Sequence, residues 1–75
     1  NNQYSKAKNI WFDLLTAYQN LSENSEEKEI YIARVKTYIA IIYDRMHVFS
    51  ESEQYFKEAI ATYRYFIIEN YAKIC

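Results

Sequence analysis

The sequence predicts an all-α fold, an antiparallel array of three helices. Its 75 residues include no Gly and no Pro, the two residues that most often interrupt helices. Apolar residues recur at spacings of three and four, which is the period of an amphipathic helix, and no long stretch alternates as a strand does. Short polar segments separate three such stretches, and short connections favour antiparallel neighbours.

The first helix is predicted over about residues 3–21. Its apolar stripe consists of Tyr4, Ala7, Trp11, Leu14, Tyr18 and Leu21, widened by Ile10, Leu15 and Ala17. The polar segment "SENSEEKE" follows and contains two candidates for capping the next helix. One is Ser25, with Glu26 and Glu27 in the first turn, and the other is Asn24 paired with Glu27.

The second helix is predicted over about residues 26–47 and is apolar around more than half of its circumference. One face consists of Ile32, Val35, Ile39, Ile42, Tyr43 and Met46, while Tyr31, Tyr38, Ile41 and Phe49 lie off that face. A helix with so little polar surface either packs between two neighbours or binds a partner.

The third helix is predicted over about residues 51–73. Ser50 and Glu53 have the Ser-x-x-Glu spacing of a capping box at its start. Its apolar face consists of Tyr55, Phe56, Ala59, Ile60, Tyr63, Phe66, Ile67, Tyr71 and Ile74, with Tyr65 and Ile68 apart from it.

The composition bounds the kind of protein. Of the residues, 51% are apolar and 19% aromatic, more than a core of this size can bury, so we expect one domain, residues 1–75, that is a fragment of a longer protein or docks on more protein. The net charge of −1 gives no basic surface for nucleic acid. No apolar run spans a bilayer and no helix has a Lys-rich face, so no membrane partner is expected. One Cys excludes an internal disulfide, and a cytoplasmic location is expected.

The sequence does not predict an enzyme. Without Gly, it has neither a phosphate-binding loop nor a dinucleotide fingerprint. His47, the only His, has Asp44 and Glu51 nearby but no second set of metal ligands. Cys75 and His47 have no third group to orient them as a nucleophile and base. We therefore expect no metal, no cofactor and no catalytic residue.

Residues 33–66 resemble a degenerate tetratricopeptide repeat. The matching positions are Ile39, Ala40 and Tyr43 on the first helix of the pair and Ser52, Phe56 and Ala59 on the second. Three positions depart from the family pattern: Lys36 replaces Trp, His47 replaces Gly and Arg64 replaces Pro. Ala7, Trp11 and Leu14 repeat the spacing of Ser52, Phe56 and Ala59 at a distance of 45 residues. Long, degenerate repeats of this kind are similar to those of bacterial peptide-sensing regulators.

The resemblance implies a non-enzymatic module that binds a protein or peptide in a groove, within a cytoplasmic regulator or adaptor. By matching, the groove residues are Arg34, Thr37, Tyr38, Ile41, Asp44 and Arg45. A clamp for acidic tails is not expected, because Thr37, Tyr38 and Ile41 stand where that clamp has Lys and Asn. In a second interpretation these side chains pack on neighbouring repeats. The alternative function is structural, a three-helix oligomerisation bundle that forms a homo-oligomer.

Overall fold

The computed structural model describes residues 2–74 and confirms the all-α prediction. Helix α1 comprises Asn2–Gln19, helix α2 comprises Glu26–Arg45, and helix α3 comprises Phe49–Ile74. The described part of the chain contains no strand. Nor does any helix within it combine the length and the apolar character that crossing a bilayer requires.

Helix α2 lies between the other two helices and runs antiparallel to both. Trp11 stacks on Tyr38 and Tyr18 on Tyr31, so α1 and α2 run in opposite directions. On the other side, Lys36 pairs with Glu58 of α3. No Cα atom of α1 approaches one of α3 within 8 Å among the described residues. With extents of 48 × 26 × 14 Å, the three helices form one flat layer rather than a closed bundle.

The core lies along the junction of α1 with α2. Leu15, Val35 and the fully buried Ile39 form its centre. Phe12, Tyr43 and Tyr55, one from each helix, adjoin this centre with ring centroids 5.8 to 6.3 Å apart. Edge-to-face and stacked rings at such distances add to the free energy gained from burying their area.

Small residues separate α2 from α3. Ala33, Ala40, Ser52 and Ala59 are all buried at this interface, where a larger side chain would push the helices apart. The Ser52 Oγ donates a hydrogen bond to the Ala40 carbonyl oxygen at 2.7 Å. Ala40, Ser52 and Ala59, three of the six residues quoted for the repeat resemblance, are thus among the positions at which the two helices come close.

The apolar stripe of α1 differs from the predicted one. Leu15 is only 7% exposed and belongs to the core, whereas Leu14 is 37% exposed and Leu21 lies outside the helix. The spacing of three and four allows either Leu14 or Leu15 to be the buried residue. The packing of α2 against α1 determines that it is Leu15. The helix also ends two residues earlier than predicted, at Gln19.

Ser25, rather than Asn24, caps α2. The Ser25 Oγ accepts a hydrogen bond from the Lys28 backbone N–H at 3.1 Å, and its backbone is extended. Glu26, Glu27 and Glu29 follow in the first turn, where the helix dipole favours negative charge.

Helix α2 ends at Arg45, before the predicted residue 47. His47 has a φ of 62°, in the left-handed region. Its N–H donates to the Asp44 carbonyl, and the Val48 N–H donates to the Tyr43 carbonyl. This pair of bonds is the Schellman motif, which usually has Gly at the position of His47.

The predicted capping box of α3 is wrong. Because the Schellman turn reverses the chain at once, α3 begins at Phe49, and the Val48 carbonyl already accepts from the Ser52 N–H. Ser50 thus lies inside the first turn, where its Oγ donates to the Glu51 carboxylate. Glu53 pairs with Lys57 one turn later instead of reaching back to Ser50.

Candidate binding face of helix α2

The six predicted groove residues lie together on one side of α2. Their spacing places them on a stripe of about 16 Å along the helix. We call this stripe the outer face; it consists of Arg34, Thr37, Tyr38, Ile41, Asp44 and Arg45. All of its members are exposed except Thr37, which is half-buried.

The middle of the outer face, at Ile41, points toward neither neighbouring helix. Ala33 and Ala40 of α2 are buried toward α3, whereas Val35 and Ile42 are buried on the side of α1. At 100° per residue, Ile41 points between these two directions. It is 39% exposed although it belongs to the central helix of the layer.

Tyr38 forms the border of the outer face with α1. Its ring stacks on Trp11 with centroids 4.7 Å apart and an angle of 22° between the planes. Tyr38 is nevertheless 42% exposed, so one part of the ring packs within the chain while another part remains accessible. Tyr38 thus has a structural role whether or not it binds a ligand.

Arg34 lies at the end of the outer face nearest the start of α2. Its guanidinium carbon is 5.7 Å from the centroid of the Tyr31 ring, a cation–π distance. Tyr31 in turn stacks on Tyr18 of α1, with centroids 5.6 Å apart. Two aromatic stacks therefore border the outer face, and one of them holds the Arg34 side chain.

The polar groups of the outer face differ in how they are satisfied. The Thr37 hydroxyl donates to the Ala33 carbonyl oxygen of its own helix at 3.0 Å. Asp44 and Arg45 take part in no ion pair with any other side chain of residues 2–74. Along the helix, Ile41 lies between the ring of Tyr38 on one side and the charged groups of Asp44 and Arg45 on the other.

The arrangement offers contacts rather than chemistry. Residues 2–74 enclose no pocket, and they contain no group of three His, Cys, Asp or Glu side chains that would bind a metal ion. His47 lies in the turn after α2, edge-on to the Phe49 ring at 5.6 Å. Cys75 lies outside the described residues.

Comparison with known proteins gives no assignment, because no family model, curated protein or solved structure matches this chain.

The sequence pattern did not identify three aromatic residues beside the outer face. The spacing places Trp11 and Tyr18 on the stripe of α1, and Tyr31 off the main face of α2. Their contribution depends on the register of α1 against α2, which pairs residue 11 with 38 and residue 18 with 31. No spacing within one helix contains that information.

Proposed function

We propose that this chain is a non-enzymatic, tetratricopeptide-like module of a cytoplasmic regulator or adaptor that binds a protein or peptide. The single observation that supports this most is the outer face of α2. It presents an exposed isoleucine, an exposed tyrosine ring and two arginines on the central helix of the layer. Aromatic and Arg side chains are the residue types that contribute most to binding at protein interfaces.

The chemistry of the outer face indicates the kind of ligand. Ile41 and the exposed part of Tyr38 offer an apolar anchor site. Arg34 and Arg45 flank it and outnumber Asp44, so a ligand with an apolar residue next to a carboxylate fits best. The open surface suits an extended or helical peptide rather than an enclosed small molecule.

The proposal is tested with peptides selected from a phage-displayed random library against the whole chain. Trp11 is the only tryptophan and stacks on Tyr38, so its fluorescence reports directly on ligands at the border of the outer face. We expect Ile41→Glu and Arg45→Ala each to weaken binding at least about tenfold, the loss typical of an interface anchor.

The matched control is Ile10→Glu, which makes the same exchange at an exposed isoleucine of α1. It should bind like the parent chain. Tyr38→Phe keeps the stack on Trp11 and separates the contribution of the hydroxyl from that of the ring. A library that yields no binder, or binders indifferent to both outer-face substitutions, contradicts the proposal.

A further inference from the structure

Helix α3 has an apolar stripe that α2 does not cover. Its residues follow one another at intervals of four, three, four and three, and we call them the α3 seam: Ile60, Arg64, Ile67, Tyr71 and Ile74. All five are exposed. Alternation of three and four is the repeat with which one helix packs along another in a coiled coil.

The α3 seam is distinct from the side of α3 that packs on α2. The buried Ser52 and Ala59 and the half-buried Tyr63 and Phe66 define the packed side. Ile67, in contrast, is 68% exposed. Helix α1 does not reach α3 at the level of the backbone, so no part of residues 2–74 covers the seam.

The single charge in the seam distinguishes between the two ways of pairing it with another copy. In a parallel pair each Arg64 faces the Arg64 of its partner, and like charges in a helix seam repel. In an antiparallel pair with its axis at Ile67, Ile60 faces the partner's Ile74, since each lies seven residues from the axis. Arg64, three residues from the axis, then lies within one residue of the level of the partner's Tyr71, four residues from the axis, whose ring attracts a guanidinium.

The lengths of the helices leave room for this antiparallel pair. Helix α3 has 26 residues and α2 has 20. Since Lys36 lies opposite Glu58, the start of α2 at Glu26 lies near residue 68 of α3, and the last turns of α3 extend beyond it. The antiparallel arrangement places the α1 and α2 helices of the two copies at opposite ends of the pair.

We propose that a second copy of this chain covers the α3 seam, in an antiparallel α3–α3 pair centred on Ile67. The paired segments are about 21 Å long. The pair leaves the outer face of α2 accessible, so the proposal does not depend on the proposed function, and either one can fail alone.

Sedimentation equilibrium over a concentration series tests the association. The mass of the parent chain should rise from 9.1 kDa toward twice that value. Ile67→Glu should raise the dissociation constant at least about tenfold, and Arg64→Glu should weaken association too, because a carboxylate repels the ring face. Ile10→Glu, at an isoleucine 65% exposed, is the matched control and should associate like the parent.

Cysteine cross-linking in a Cys75→Ser background tests the orientation. Oxidising a mixture of Ile60→Cys and Ile74→Cys chains should join the two variants, and neither alone should form a covalent dimer. Any one of three results would overturn the proposal. The parent chain could stay monomeric throughout the concentration series, the Ile67→Glu variant could associate like the parent, or the Ile60→Cys variant could cross-link to itself. Circular dichroism of each variant verifies that the helices are intact.

Discussion

The Ser52 hydroxyl of α3 donates a 2.7 Å hydrogen bond to the backbone carbonyl oxygen of Ala40 in α2. Both residues are buried, and the bond joins positions twelve residues apart on two helices. It therefore fixes how far one helix slides along the other, while the small size of both residues fixes how closely they approach. Ser52 satisfies a steric and a polar requirement at the same position.

Enlarging Ser52 should be much more costly than removing its hydroxyl. Ser52→Leu inserts a bulky side chain where α2 and α3 are close, and we expect a loss of about 2 to 3 kcal/mol of unfolding free energy. Ser52→Ala removes one hydrogen bond and gains helix propensity, for a net change within about 1 kcal/mol. Urea unfolding followed by circular dichroism measures both. Equal stability of the two variants would refute this account of the interface.

The predictable part of the fold is the part that depends on one helix at a time. The all-α class follows from the spacing of apolar residues along the sequence, and so does the set of residues that share the outer face of α2. The choice of Leu15 over Leu14 does not, because only the docking of α2 distinguishes adjacent leucines. The same holds for the candidate site, since its residues share a stripe of α2 but the stack of Tyr38 on Trp11 requires the interhelix register.

Lys28 shows how tertiary contacts override local pattern. The sequence places it among the glutamates of a polar segment, yet it is buried. Its Nζ donates to the Leu21 carbonyl oxygen at 2.9 Å, across the connection between α1 and α2. A lysine can be buried in this way because its long apolar stem packs while the ammonium still finds an acceptor.

Removing the cap of α2 should destabilise the chain at Ser25 but not at Asn24. Ser25→Ala loses the hydrogen bond that its Oγ accepts from the Lys28 N–H, and we expect a cost of about 1 kcal/mol. Asn24→Ala is the matched control, one residue away and exposed, and should change the unfolding free energy by less than about 0.5 kcal/mol. Chemical denaturation gives both values. A larger effect at Asn24 would favour the other capping pair.

The Glu58 carboxylate, which accepts from Gln54 of α3 and pairs with Lys36 of α2, should make stability depend on acid pH. Hydrogen bonds from Gln54 and Lys36 hold the pKa of the Glu58 carboxyl below its ordinary value of 4.5. The folded chain thus binds fewer protons than the unfolded chain in this range. The stabilisation is present above about pH 4.5 and is lost as pH falls through the lowered pKa.

Glu58→Gln tests this dependence. The parent should be more stable at neutral pH by less than about 1 kcal/mol, since the pair is partly exposed, and the difference should shrink on acidification. Unfolding midpoints measured from about pH 7 to about pH 3 show the trend. Glu53→Gln removes a solvent-exposed pair within α3 and should give a weaker dependence. A difference that persists unchanged in acid would exclude Glu58 as its source.

Replacing His47 by Gly should stabilise the chain. His47 has a φ of 62°, where an L-residue is strained and Gly is not. The Schellman bonds of this turn use only backbone groups, so the substitution leaves them in place. The contact that is lost, between the His47 and Phe49 rings, lies on the surface. We expect a gain of about 0.5 to 1 kcal/mol, because relief of strain exceeds the added entropy of the unfolded chain.

His47→Ala keeps the strain and should bring no gain, and Arg45→Gly, inside the last turn of α2, should cost about 1 kcal/mol. Urea denaturation of the three variants measures these effects, and a loss of stability in His47→Gly would show that the imidazole contributes more than its backbone conformation costs.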